Sequence, residues 1–231
     1  MKKSVIMLAL CFFAIAVKAQ SNTVNFTLPP TLIMPDGSVV PNKSMDSIKR
    51  VFGGRELAIS IHDDGKVYVH PVMNKAEELE SETKLNSRLN KAAPEFAFTG
   101  LDGKLYSLSD LKGKIVVLNF WFTQCGGCIA EMADLNELKQ NYNGKDVVFL
   151  GITFDDKSKI NTFLAKHKFD YTILPNARKA CLDYYIYDYP TSIVIDRNGI
   201  VKYINNSIGA NIKSELTKAI DEVKNDRYTF N

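Results

Sequence analysis

The tightest constraint on this chain is a single run of fourteen residues, Ile115-Val116-Val117-Leu118-Asn119-Phe120-Trp121-Phe122-Thr123-Gln124-Cys125-Gly126-Gly127-Cys128. Its first six residues are almost wholly apolar, as in a strand buried on both faces. The stretch from Cys128 to Tyr142 has helical character. A Cys-x-x-Cys pair between a buried strand and a helix is a redox signature. The reason is electrostatic. Cys125 falls where the first N–H groups of the helix are unpaired and the dipole favours an anion. A thiolate there is stabilised, and the thiolate is the nucleophile. Two intervening residues let the sulfurs reach bonding distance within one turn. Cys128, one turn in, is better shielded and suited to resolving a mixed disulfide. Half of a zinc site is the competing use, but no later Cys-x-x-Cys or His pair supplies the other ligands.

The rest of the C-terminal region alternates strands and helices. Asp146 to Thr153 reads as a second buried strand and Lys157 to His167 as a helix. Ile193 to Ile195 and Ile200 to Tyr203 flank the turn Asp196-Arg197-Asn198-Gly199, a hairpin signal. Asn211 to Val223 is a closing helix. The order β-α-β-α-β-β-α predicts an α/β domain, a mixed central sheet with helices on both faces.

Upstream, Met1 to Lys3 is basic, Val5 to Val17 is an almost unbroken apolar run, and Val17-Lys18-Ala19 places small residues before Gln20. This is the plan of a secretory signal peptide cleaved after Ala19. Thirteen apolar residues rise about 20 Å as a helix, short of the ~30 Å hydrocarbon core, so an uncleaved anchor fits less well. Cys11 would leave with the signal, and Cys125, Cys128 and Cys181 would remain in an oxidising compartment. The formal charge of +3 owes three positive charges to Lys2, Lys3 and Lys18, so the mature chain is neutral. It carries no electrostatic footprint for nucleic acid.

Residues 20–73 read as a small α+β accessory region. Val24, Phe26 and Leu28 alternate as in a strand; Ser44 caps a helix with Met45, Ile48, Val51 and Phe52 on its apolar side; Leu57, Ile59 and Ile61 pair with Val67 and Val69 as a hairpin. His62 and His70 flank that hairpin without further ligands, and no metal is expected there. Residues 74–91 are charged and free of Gly and Pro, with Glu80 and Lys84 at favourable helical spacing, and read as a helical linker.

From residue 92 to the C-terminus, about 140 residues and near 60% of the chain, the sequence resembles the TlpA/ResA group of thioredoxin-like proteins of the periplasm and cell envelope. The residues that carry it are Ala93-Pro94-Glu95-Phe96, Leu118-Asn119-Phe120-Trp121, the cysteine pair, Glu131, Tyr189-Pro190-Thr191, and Ile195-Asp196-Arg197-Asn198-Gly199. The resemblance implies a thioredoxin-like fold and thiol–disulfide oxidoreductase activity without a bound cofactor. It implies that Pro190 is cis and packs beside the cysteines. It also implies that Glu131, three residues after Cys128, manages the proton of the buried thiol. Thioredoxin buries an Asp six residues before its first Cys, a place held here by the non-titrating Asn119.

The partners implied are client proteins with cysteine pairs or disulfides, possible among them apocytochrome c in cytochrome c maturation, and a membrane thiol electron donor. Trp121, Gln124 and Tyr189 are the expected client-contact residues. Several positions depart from the group: Gly127 and Ala133 stand where relatives often carry Pro, and Gln124 where thioredoxins have Trp.

Cys181 lies in a short predicted helix near Tyr184, Tyr185, Tyr187 and Tyr189 and reads as a small buried hydrophobe. Two alternatives use the same thiols. A peroxiredoxin-like peroxide reductase would carry Thr and Pro three and seven residues before its reactive Cys, where this chain has Phe122 and Leu118. A Cu(I)-binding chaperone suits soft thiolates, but no nearby His or Met completes its site.

Overall fold

The computed structural model describes residues 31–33, 39–41, 49–50, 53–54, 56–61, 67–142, 144, 146–206, 209 and 211–225. The signal segment 1–19, the strand expected at Val24 to Leu28, most of the helix expected after Ser44, and His62 lie outside them. The chain divides after Val72 into two units.

In the first unit, β1 (Thr31–Ile33), β2 (Val39–Pro41), β3 (Leu57–Ile61) and β4 (Val67–Pro71) form one sheet in the order β2-β1-β4-β3. The alternation read at 57–61 and 67–69 is an antiparallel pair, with Ile59 opposite Val69.

The second unit begins with α1 (Lys75–Asn86). Its start is a capping box. The Asn74 side chain accepts the N–H groups of Ala76 and Glu77, and Glu77 accepts the N–H of Asn74. The Glu80–Lys84 pair closes at 2.6 Å. The hairpin β5 (Ala97–Thr99) and β6 (Leu105–Ser107) follows.

The main sheet has five strands: β7 (Ile115–Phe120), β8 (Val147–Ile152), β9 (Thr172–Leu174), β10 (Thr191–Ile195) and β11 (Val201–Asn205), ordered β11-β10-β7-β8-β9. β7, β8 and β9 run parallel; β10 is antiparallel to β7 and β11 to β10. The sheet is therefore mixed, as expected. β9 was not read from the sequence, because three residues give too short a pattern even with Pro175-Asn176 following them. The β10–β11 turn needs Gly199 at φ +83°, a region costly for residues with a Cβ.

Helices α2 (Gly126–Asn141), α3 (Lys157–Leu164), α4 (Arg178–Asp183) and α5 (Ile212–Asn225) cover the sheet. Because strand side chains alternate, β7 feeds both faces. Ile115 and Val117 join Met132, Leu135 and Leu138 of α2 and Leu216 and Ile220 of α5. Val116, Leu118 and Phe120 join Ala180 and Cys181 of α4, Tyr184 and, from α1, Leu85. Among the described residues no helix is long and apolar enough to cross a membrane.

Candidate active site

The site sits where the chain leaves β7. Trp121 donates its backbone N–H to Ile152, and Cys125 donates its own to Phe122, which folds the loop back before the helix. Cys125 is the N-cap of α2, with extended backbone, and its sulfur accepts the N–H of Cys128 at 3.1 Å. The two cysteines form a disulfide with Cα atoms 5.2 Å apart. Exposure is 6% for Cys125 and 2% for Cys128.

β10 brings the second loop to the same end. Thr191 pairs with Phe120 and Ser192 with Asn119, so Pro190 arrives beside the loop that follows β7. The Tyr189–Pro190 bond is cis. The Tyr189 ring stands perpendicular to Phe122, with centroids 5.3 Å apart. The Cys181 thiol lies close enough for the two groups to perturb each other's titration. Burial pushes that thiol's pKa up, and Cys181 is the one free cysteine among the described residues.

Glu131 lies on the buried stripe of α2 with Cys128, Met132 and Leu135 and is 4% exposed. Burial raises its carboxyl pKa to about 7; the N–H of Gly209 opposes that shift, while Asp134 and Glu215 add to it. Its Oε1 has no hydrogen-bond partner among the described residues, and neither do the Trp121 indole N–H and the Tyr171 hydroxyl. Asn119 is satisfied instead, donating to Ser192 at 3.1 Å.

The structure thus brings Cys125, Cys128, Glu131, Pro190, Gln124 and Tyr189 to one end of the sheet, with Gln124 exposed and Tyr189 half-buried. Trp121 corrects its expectation. It is fully buried against Phe163 and Phe169, so it shapes the core beneath the site and is not at the surface where a client contact was expected. The apolar indole gains more from this packing than from water. Sequence reading missed Thr123, Phe154 and Asp155. Asp155 accepts both the N–H and the hydroxyl of Thr123, at 2.8 and 2.9 Å. Its place just past the carboxyl end of a buried parallel strand, where α/β sheets bind ligands, was the available signal. Among the described residues no group of three or more His, Cys, Asp or Glu is placed to hold a metal.

A disulfide at a helix N-cap beside a cis-Pro loop is the arrangement of a thiol–disulfide exchange site. A family model for AhpC/TSA matches residues 89–204. The chain belongs to the AhpC/TSA family. Its relatives include the thioredoxin-like protein YneN of Bacillus subtilis, 31% identical over 144 residues that cover 61% of this chain and 84% of YneN. Another is the thiol-disulfide oxidoreductase ResA of Bacillus cereus, 32% identical over 142 residues, 61% and 81% of the two chains.

Among solved structures, a Chlorobium tepidum protein assigned as the thiol:disulfide interchange protein DsbE superposes with TM-score 0.55 at 28% identity, over 58% of this chain and 96% of its own. The exposed lipoprotein thioredoxin of Streptococcus pneumoniae superposes with TM-score 0.50 at 26% identity, over 56% and 99%. The fold is thioredoxin-like, and the enzyme class is thiol–disulfide oxidoreductase. Enzymes of this class act on cysteine-containing client proteins.

Proposed function

We propose that this protein is an extracytoplasmic reductant of client disulfides, working through Cys125 and Cys128. The observation that carries the reading is the disulfide at the N-cap of α2, with one sulfur accepting a helix N–H. In the reduced enzyme the Cys125 thiolate attacks a client disulfide. A Cys125–client bond forms, and the other client sulfur leaves as a thiolate and takes a proton. Cys128 then gives its proton to Glu131 and attacks the Cys125 sulfur. The second client sulfur leaves, two electrons have passed to the client, and the enzyme holds the Cys125–Cys128 disulfide. Glu131 suits the proton transfer because a carboxyl raised to about 7 is half-ionised near neutral pH. Pro190, Gln124 and Tyr189 would bound the client segment.

The direction of electron flow is argued from charge. A strong oxidant stabilises its reduced form, which needs cations near the attacking thiolate. Gln124, Gly126 and Gly127 supply none. The helix dipole contributes roughly 0.3–1 kcal/mol, about 6–20 mV for a two-electron couple. That falls far short of the roughly 150 mV between thioredoxin and DsbA. Residues 1–19 would direct export, and the pneumococcal neighbour is by its own name exposed. A membrane thiol donor would return electrons to the pair, and apocytochrome c is a candidate client. Residues 20–73 would form an accessory region and residues 74–91 a helical connection to the catalytic domain at 92–231.

Equilibration with dithiothreitol buffers tests the reading. The expected midpoint lies below about −200 mV; a value near −120 mV would make the protein a disulfide-forming oxidant. Rapid turnover of hydrogen peroxide would favour a peroxidase instead.

A further inference from the structure

Two consecutive residues after β8 grip two consecutive residues before the cysteine pair. The Phe154 ring stacks on Phe122, centroids 5.4 Å apart and 28° from parallel. Asp155 Oδ2 accepts the Thr123 N–H at 2.8 Å and the Thr123 hydroxyl at 2.9 Å. Asp155 is itself held on both sides. Its N–H donates to Thr153 Oγ1 at 3.1 Å, and its carbonyl accepts the Asn176 N–H at 2.9 Å. The residue is only 5% exposed. Its one cationic partner among the described residues, Lys159, stands 3.8 Å from Oδ1, with more than half of its own side chain in solvent.

A buried carboxylate is costly to desolvate, and charge-assisted hydrogen bonds are the compensation available to it. Here Oδ2 makes both of its bonds to Thr123, two residues before Cys125, and Cys125 in turn donates to Phe122. The carboxylate, the gripped dipeptide and the N-cap cysteine form one continuous mechanical unit.

We propose that Asp155 is a positioning residue for disulfide exchange, holding the 122–125 loop so that the Cys125 sulfur stays at the helix N-cap in line with the incoming disulfide. The proposal rests on Cys125 being the attacking sulfur. In-line geometry is demanding, and a displacement of about 1 Å can cost on the order of a hundredfold in rate. The Asp155 charge has a second effect, since a carboxylate beside the loop disfavours a Cys125 thiolate and so disfavours the reduced form.

The test compares Asp155→Ala, Asp155→Asn and Thr123→Val with the parent protein. The readouts are the exchange rate of the reduced enzyme with a disulfide-bonded peptide, the equilibrium with dithiothreitol, and the melting temperature. Asp155→Ala is expected to exchange at least about tenfold more slowly while remaining folded. Asp155→Asn keeps an amide oxygen able to accept both the Thr123 N–H and the Thr123 hydroxyl and is expected to recover most of the rate. It should also shift the dithiothreitol equilibrium several-fold toward the dithiol, where tenfold corresponds to about 30 mV. Parent-like exchange by Asp155→Ala would overturn the proposal, and so would an Asp155→Asn variant as slow as the alanine. Should the alanine variant not fold, Thr123→Val decides: slowed exchange supports the grip and an unchanged rate removes it. Mixed-disulfide formation by a Cys125→Ser variant would show that the nucleophile itself was misassigned, a failure separable from that of Asp155.

Discussion

The two faces of the main sheet are built from the same strands and the same kinds of apolar side chain, yet they differ in how many buried polar atoms they leave unpaired. On the face covered by α2 and α5, Glu131 Oε1, the Trp121 indole N–H and the Tyr171 hydroxyl are all buried without a hydrogen-bond partner among the described residues. On the face covered by α4, the fully buried Tyr184 donates its hydroxyl to the Pro94 carbonyl at 2.8 Å, and Arg88 donates Nη2 to the Asp183 carbonyl while its Nε is left unpaired among the described residues. Leaving a buried polar atom unpaired costs roughly 1–3 kcal/mol. Among the described residues the α2 face accepts that cost at three atoms and the α4 face at one, the Arg88 Nε. Perturbed titrating groups collect where chemistry is done, and the imbalance between the faces marks which one carries it.

The largest effect that could break this contrast is on turnover. Cys125→Ser should abolish reduction of a protein disulfide, while Cys181→Ala should retain it. If the second variant were as inactive as the first, the α4 face would be part of the exchange chemistry and the contrast would fail.

Next in size is the pH dependence carried by Glu131. Its carboxyl loses a proton near 7 when folded and near 4.5 when unfolded. Between these values the unfolded chain binds fewer protons, so stability falls as pH rises through the window and stays low above it. The full difference is about 3 kcal/mol. Glu131→Gln should match the parent below about pH 4.5 and exceed it by up to that amount above about pH 7. Urea unfolding of the oxidised proteins across pH measures this. Parallel curves would mean that the Glu131 carboxyl titrates normally.

Gly151→Ala probes how tightly the α2 face is filled. An added Cβ would lie 2.7 Å from Ile173 Cδ1, 3.0 Å from Trp121 Nε1 and 3.1 Å from Phe169 Cε1. Overpacking of this kind costs about 1–3 kcal/mol. The melting temperature should drop accordingly, and an unchanged value would show slack around Trp121.

The smallest effects give the sharpest comparison, because one substitution should act with different sign on the two faces. Tyr184→Phe strands the Pro94 carbonyl and should lose about 1 kcal/mol. Tyr171→Phe keeps a ring that stacks on Phe169 at 4.8 Å and removes only an unpaired hydroxyl. It should be neutral or stabilising. Equal losses from both would show that the Tyr171 hydroxyl has a partner after all.

Local pattern determined much of this protein. The apolar run at 115–120, the Gly-rich cysteine pair and the Asp196–Gly199 turn prescribe β7, the start of α2 and the β10–β11 hairpin, because period, helix dipole and turn chemistry act over a few residues. The candidacy of the cysteine pair came from the same short range, and that of Glu131 from the family resemblance. Contacts distant in sequence were decided only by the tertiary structure. The Thr191–Phe120 register carries Pro190 seventy residues back to the β7 loop, and β8 delivers Asp155 to Thr123 thirty-two residues away. Trp121 shows the limit most plainly. Its position in the motif suggested the surface, but the space above Gly151, bounded by Phe163 and Phe169, took the indole into the core. Side-chain period says that a residue faces a layer; only the packed layer says whether that residue meets solvent or another ring.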